Sequence, residues 1–153
     1  EVPEPGNPGN GTGSVVGHDI WSGSYTNLME TSNVYAGFQA MPIYYDNTAG
    51  LGYAEVERTL SPAQDWTSEG VTTLVVPFRG AASNTGQLYV KINGTQVPYT
   101  GDTADVASKK WITWKIDLAS IGVSVKKVTT LTIGIQGGET GVLHIDDIRL
   151  TKP

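Results

Sequence analysis

The residues best suited to chemistry in this sequence are two adjacent aspartates, Asp146 and Asp147, in the stretch GVLHIDDIRL. The stretch has the composition of a β-strand, an element in which aspartate is uncommon. Because neighbouring side chains of a strand point to opposite faces, one carboxylate should face the core, where an unpaired charge is costly. By parity with Ile148 and Leu150, we expect Asp146 to point inward and to meet a cation.

From the residues alone, the favoured explanation is that one aspartate pairs with Arg149 or Arg58 while the other is solvated. The alternative is a bound cation such as calcium, which takes six to eight oxygen ligands that usually include several carboxylates. A zinc site is not expected, because the chain has no cysteine and its only histidines, His18 and His144, show no ligand spacing.

Catalytic residues are not evident in the sequence. No Gly-x-Ser-x-Gly motif for a serine nucleophile is present. Glu55 and Glu57 share one face of a predicted strand at about 7 Å, a separation that glycoside hydrolases also use for their two carboxylates. We interpret this pair as outer-face residues or salt-bridge partners, and we predict that the chain is not an enzyme.

The elements that must position these residues are short strands. No window shows the apolar period of a helix, and turn residues separate the segments of strand composition. The pattern predicts an all-β fold, an antiparallel β-sandwich or a barrel. Asn93-Gly94-Thr95 is formally a glycosylation sequon, but we favour a hairpin turn there. The predicted strands are SVVGHDIW, a run through VYAGFQAMPIYY, AEVERTL, VTTLVVPF, QLYVKI, TQVPY, WITWKIDL, VTTLTIGI and VLHIDDIRL.

Composition and charge restrict the partners. The net charge is −5 and no basic cluster exceeds two lysines, so nucleic acid is not an expected partner. No apolar run reaches the length of a membrane span, so no membrane insertion is expected. Residues 1–14 are rich in Pro and Gly and predict a flexible linker, which leaves 15–153 as one domain of a larger multidomain protein. We expect the isolated domain to be a monomer.

Alternation along the strands predicts one candidate binding face. In VTTLVVPFRG it places Leu74, Val76 and Phe78 in the core and Arg79 outside, and the same reasoning puts residues of QLYVKI and WITWKIDL outside. If these strands are neighbours in one sheet, their outer face combines aromatic rings, which stack on sugars, with long hydrogen-bond donors. The candidate substrate-binding residues are Tyr44, Arg79, Tyr89, Lys91, Tyr99 and Trp111.

The charge of that face bears on its ligand. Arg79 and Lys91 favour an acidic polysaccharide, such as a uronate or a sulfated glycan. Two cations on a face are, however, also a device by which a sheet stays soluble.

The order of several segments resembles the galactose-binding-like jelly rolls. These are accessory modules, many of them carbohydrate-binding, of secreted bacterial polysaccharide-degrading enzymes and surface proteins. The resemblance covers Val15 to Leu150, and its most characteristic parts are the Asp-Asp strand and Gln64-Asp65-Trp66. The segments are AMPIYYDN, YAEVERTLSPAQDWT, GVTTLVVPFRG, WITWKIDL and VLHIDDIRL.

This resemblance implies a two-sheet antiparallel jelly roll with a structural calcium and a sugar site on the concave face or at the loop edge. It implies a non-catalytic module that targets an attached secreted enzyme to a polysaccharide. The alternative is a structural or adhesive domain of a bacterial surface protein that binds no sugar. Calcium in such modules is held by acids of the first and last strands and by a loop after the first strand, which here match Asp19, Glu30, Asp146 and Asp147.

Overall fold

The described residues form ten strands in two antiparallel sheets. The structure is a computed structural model that describes residues 14–16, 29–48 and 51–153, the first of these ranges by its backbone only. Residues 1–13 of the predicted linker, His18, Asp19 and Trp21 lie outside the described residues, and Ser14, the last linker residue, belongs to β1. The strands are β1 (Ser14–Val16), β2 (Met41–Asp46), β3 (Tyr53–Gln64), β4 (Thr73–Arg79), β5 (Gln87–Ile92), β6 (Thr95–Pro98), β7 (Ile112–Asp117), β8 (Val128–Gln136), β9 (Thr140–Ile145) and β10 (Arg149–Thr151).

The two sheets have simple strand orders. Sheet 1 runs β1-β2-β9-β4, with β10 also paired to β4 and β7 on the other edge of β4. Sheet 2 runs β3-β8-β5-β6. Short 3₁₀ helices occur at Ser68–Gly70, Thr103–Ala107 and Leu118–Ser120, and no helix among the described residues is long and apolar enough to cross a membrane. The predicted all-β antiparallel sandwich is confirmed.

The core lies between the sheets and follows the predicted alternation. Leu74, Val76 and Phe78 of β4 face it, as do Trp114 and Ile116 of β7, all of them at most 5% exposed. Burying one such side chain contributes about 1.5–3 kcal/mol. Sheet 2 supplies its own alternating set to the same core, namely Leu88, Val90, Ile92, Ile133 and Ile135.

Tyr99 also belongs to the core side, which contradicts its prediction as a stacking residue. Its ring lies edge-on against Phe78, at 5.1 Å between centroids, and against Trp114, at 5.3 Å. Its hydroxyl donates to Asp105 Oδ2 at 2.5 Å. Burial and this hydrogen bond raise the pKa of Tyr99 to about 12. Tyr99 therefore joins β6 to the packing between the sheets.

The terminal stretch GVLHIDDIRL is not one continuous strand. It breaks between Ile145 and Arg149, where Asp147 has φ 46. Leu143 and Ile145 face the core before the break, and Leu150 packs against the core after it. The interruption shifts the alternation by one residue, so the prediction that Asp146 points inward with Ile148 and Leu150 is wrong. Asp146 keeps the parity of His144 and faces outward.

Two local predictions near turns have different outcomes. The hairpin at Asn93-Gly94 is confirmed, since both residues have positive φ and join β5 to β6. The predicted strand through VYAGFQAMPIYY is only half correct. An isolated bridge between Glu30 and Ala40 closes a loop of residues 31–39 instead, and β2 begins at Met41.

Candidate functional site

The outer surface of sheet 2, here called the sheet 2 face, carries aligned side chains from all four of its strands. Gly134 of β8 is paired with Glu55 of β3 on one side and with Tyr89 of β5 on the other, and Tyr89 is paired with Pro98 of β6. These residues alternate with the core residues, so they point away from the core. The pairing produces a row across the middle of the sheet.

Tyr89 crosses the sheet over a glycine. A Cβ at Gly134 would overlap the Tyr89 ring, so only glycine at this position leaves room for the ring. The Tyr89 hydroxyl donates to Glu55 Oε1 at 2.6 Å. Burial and the Glu55 carboxylate raise the pKa of Tyr89. Tyr89 is only 2% exposed, so it forms the floor of the face and not a stacking surface, contrary to the prediction.

Lys91 lies above this floor. Its ammonium forms a salt bridge with Glu55 and lies 5.6 Å from the centroid of the Tyr89 ring and 5.7 Å from that of Tyr53. Tyr53 is half-buried and belongs to the first residue pair of β3 with β8. The face therefore combines the partly exposed ring of Tyr53 with an ion pair in which the charges of Lys91 and Glu55 balance each other.

Hydrogen-bonding groups surround the ion pair. Glu57 accepts a hydrogen bond from the Thr132 hydroxyl at 3.1 Å and is itself exposed. Exposed or half-buried glutamine side chains lie at the ends of the paired strands. Such amide groups, next to aromatic rings, are suited to bind ligands that are rich in hydroxyl groups. The polar residues of the face are Glu57, Thr59, Gln87, Gln96, Thr132 and Gln136.

The other predicted binding residues lie on the opposite side of the molecule. β4 and β7 belong to sheet 1, so Arg79 and Trp111 lie on the outer surface of that sheet, the sheet 1 face. Tyr44 also lies there, in a groove of about 290 Å³ beside Glu30 and Pro42. The prediction that Arg79, Tyr89, Lys91 and Trp111 share one face is therefore wrong, because β5 is in sheet 2.

The loop of residues 31–39, here called the crossing loop, folds over the sheet 1 face. Asp146 Oδ2 accepts hydrogen bonds from the backbone N–H groups of Tyr35, at 2.8 Å, and Ala36, at 3.0 Å. The Tyr35 hydroxyl lies 3.3 Å from Thr113 Oγ1 of β7. Asp146 thus holds the middle of the loop against β7 and β9.

Glu30 organises the start of the crossing loop. Its Oε1 accepts hydrogen bonds from the N–H groups of Ser32, at 2.5 Å, and Asn33, at 3.0 Å. Its Oε2 lies 3.7 Å from His144 Nε2. Burial raises the pKa of Glu30, but the hydrogen bonds and His144 outweigh burial and lower it. Burial lowers the pKa of His144, and Arg79 lowers it further against the opposing effect of Glu30.

The predicted metal ligands do not converge among the described residues. Asp146 and Glu30 accept backbone N–H groups, and Asp147 forms a salt bridge with Arg149. No group of three His, Cys, Asp or Glu residues in the described ranges is arranged to hold a metal. The described acids thus do not by themselves fit calcium. The fourth predicted ligand, Asp19, lies outside those ranges, so the calcium site stays a prediction.

The sequence contained a signal for Tyr53 that the prediction did not use. Tyr53 shares the parity of Glu55 and Glu57, the residues placed on an outer face. Tyr35 and Phe38 carry a weaker signal, because the composition of VYAGFQAMPIYY favours a strand over a loop. Gly37, with φ 64, is the residue between them that breaks the strand.

Comparisons with known proteins support the fold. No family model matches the chain, and no curated protein matches it. A family 11 carbohydrate-binding module from Clostridium thermocellum, solved with a β-1,3-1,4-mixed-linked tetrasaccharide, matches with a TM-score of 0.58 and 16% identity, over 94% of this chain and 89% of that one. The family 30 carbohydrate-binding module of a Clostridium thermocellum cellulosomal cellulase matches with a TM-score of 0.56 and 17% identity, over 81% and 80%.

An enzyme chain contains the same architecture. An exo-β-agarase matches with a TM-score of 0.56 and 11% identity, over 82% of this chain, which spans only 22% of the agarase. At these identities the comparisons establish the fold. The chain has the β-sandwich of carbohydrate-binding modules.

Proposed function

We propose that the chain is a non-catalytic carbohydrate-binding domain whose ligand lies across the sheet 2 face. The observation that carries the proposal is the Tyr53 ring beside the Lys91–Glu55 ion pair, on the outer face of a sheet in a sandwich shared with carbohydrate-binding modules. A tyrosine ring stacks on the apolar face of a pyranose, and flanking amides and charged groups bind its hydroxyls.

The charge of this face favours a neutral glycan over an acidic one. Glu55 and Glu57 bring two negative charges, and Lys91 brings one positive charge that Glu55 already pairs. Arg79, the second cation behind the acidic-polymer prediction, lies on the sheet 1 face. A mixed-linked β-glucan, the kind of ligand in the family 11 structure, suits such a surface.

Three finer parts of the proposal rest on the sequence resemblance. The domain is attached to a secreted bacterial enzyme, it raises the effective concentration of that enzyme on its polysaccharide, and a structural calcium stabilises it. A non-catalytic role is supported by Glu55, whose carboxylate accepts a hydrogen bond from Tyr89 and pairs with Lys91. Product release from a glycan incubated with the pure domain would contradict that part.

Affinity electrophoresis on neutral glycans, mixed-linked β-glucan first, tests the function. We expect retardation of the wild type and its loss, at least about tenfold in affinity, in Tyr53→Ala. Tyr44→Ala is the matched control, because Tyr44 is a half-buried tyrosine on the opposite face. Equal losses in both variants would move the site away from sheet 2, and no retardation by any glycan would favour a structural or adhesive domain.

A further inference from the structure

The cations of this acidic chain are unevenly distributed. Five of its ten Lys and Arg residues belong to β4, β7, β10 or the turn before β7, namely Arg79, Lys109, Lys110, Lys115 and Arg149. Arg149 of β10 and Lys115 of β7 are paired with Val75 of β4 from its two sides. Since adjacent strands are about 4.8 Å apart, the backbones of these two cationic residues lie about 10 Å apart. Arg79 Nε donates to the Lys109 carbonyl at 2.7 Å, which holds its guanidinium beside the turn.

The acids of the same region are engaged elsewhere. Asp147 pairs with Arg149, and Asp146 accepts the N–H groups of the crossing loop. Asp117, two residues from Lys115 on β7, accepts the N–H group of Ala119. Lys109, Lys110 and Lys115 form no salt bridge with any residue that the structure describes. All three lysines are exposed. Among the described residues, these three lysines therefore present positive charge without a salt-bridge partner, within a molecule of net charge −5.

Aromatic rings accompany these cations. Tyr35 of the crossing loop lies 5.7 Å from Trp111 at an interplanar angle of 64°, and the Arg149 guanidinium lies 5.8 Å from the Tyr35 ring. Phe38, three residues further along the loop, is 90% exposed. A phenylalanine this exposed contributes nothing to the core, and its ring is available to a ligand.

We propose that the sheet 1 face is a second, independent glycan-binding surface that takes an acidic oligosaccharide of the uronate type. The cations around β7 bind the carboxylates, and Phe38, with the edge of Tyr35, contacts the apolar faces of the sugar rings. An acidic peptide would use the same cations. The exposed aromatic residue favours a sugar, because ring stacking is the contact that a carboxylate-rich peptide does not need.

Calorimetric titration of the whole chain with oligogalacturonate tests the proposal. We expect binding that weakens at least about tenfold in Lys109→Ala/Lys110→Ala and in Phe38→Ala. Lys126→Ala/Lys127→Ala is the matched control for charge, since it removes an adjacent lysine pair from another turn. Leu51→Ala is the control for apolar exposure, since Leu51 is 62% exposed in the loop before β3. Both controls should stay within about twofold of the wild type.

Several outcomes would overturn the second surface. Equal losses in the two lysine pairs would show attraction to overall charge, and tight binding of polyglutamate that Phe38→Ala leaves unchanged would show an anionic peptide surface. The absence of oligogalacturonate binding would also exclude it. The mixed-linked glucan measurement is separate, because Tyr53→Ala should not alter oligogalacturonate binding if the two faces are independent.

Discussion

His144 shows how one residue joins several parts of the sheet 1 face. It is 8% exposed and paired with both Pro42 and Arg79, so it lies in the middle of the sheet. Its Nδ1 is buried and has no hydrogen-bond partner among the described residues. A second proton on this ring would place a charge in a site with little water, next to the Arg79 guanidinium. Burial, the largest effect, therefore lowers the pKa of His144 and favours the neutral imidazole, against the opposing effect of the Glu30 carboxylate 3.7 Å from Nε2.

This arrangement predicts a pH dependence of stability. The pKa of His144 is lowered in the folded state, so its contribution is complete above the unfolded value of 6.5 and is lost as the pH falls below it. Urea unfolding at pH 7.5 and pH 5.5 should show lower stability at the acidic pH, and His144→Gln should reduce that difference. The variant His18→Gln measures how much of the pH dependence of stability comes from the other histidine. A difference that His144→Gln leaves intact would contradict the burial argument.

At the scale of elements, a single carboxylate, that of Asp146, accepts the backbone N–H groups in the middle of the crossing loop. In Asp146→Ala the N–H groups of Tyr35 and Ala36 lose their acceptor, and hydrogen bonds to a charged group contribute about 1.5–3 kcal/mol. Because the loop is exposed, we expect local opening of residues 31–39 with a small change in global stability. Hydrogen exchange measured by mass spectrometry should show faster exchange there.

Asp147 provides the control for this prediction. It pairs with Arg149 at the surface, where a salt bridge contributes about 0–1 kcal/mol. Asparagine, like aspartate, tolerates the positive φ of 46° at position 147. Asp147→Asn should therefore leave the hydrogen exchange of residues 31–39 unchanged. Similar exchange in the two variants would show that Asp146 does not hold the loop.

The strands also show what the sequence can and cannot predict. Alternation identified the core side of β4, β5 and β7 because each strand buries one face, and that constraint is local. It could not show that β5 and β7 are in different sheets, since pairing depends on residues far apart in sequence. It also failed at Asp147, where one left-handed residue reverses the parity of every residue after it. The second cause explains the wrong orientation predicted for Asp146. The first explains why residues of two different sheets were predicted to share one binding face.

At the scale of the whole molecule, the two sheets have different surfaces. The sheet 2 face has its one lysine paired with Glu55, while the sheet 1 face keeps a group of lysines without acidic partners among the described residues. Net charge alone hides this difference, because the total of −5 is a sum over the whole chain. The two proposals above assign chemically different glycans to these two faces.

Calcium, if bound, acts on the molecule as a whole. The predicted ligands Asp19 and Asp146 lie near opposite ends of the chain, so an ion bound by both would join the two chain ends and add its binding free energy to folding. At a calcium concentration a hundredfold above the dissociation constant the gain is about 2.7 kcal/mol. Addition of EDTA should then lower the melting temperature of the wild type by several degrees.

The same measurement on variants separates the ion from the hydrogen bonds of the crossing loop. Asp19→Asn should melt at the EDTA-treated temperature whether or not calcium is present, because it removes a ligand and leaves the Asp146 contacts in place. Magnesium should not replace calcium, since it prefers a smaller and more rigid octahedral site. If EDTA leaves the melting temperature unchanged while Asp146→Ala still opens the loop, backbone N–H groups alone satisfy this carboxylate. The stability of the sandwich would then come from its core and its hydrogen bonds without a metal.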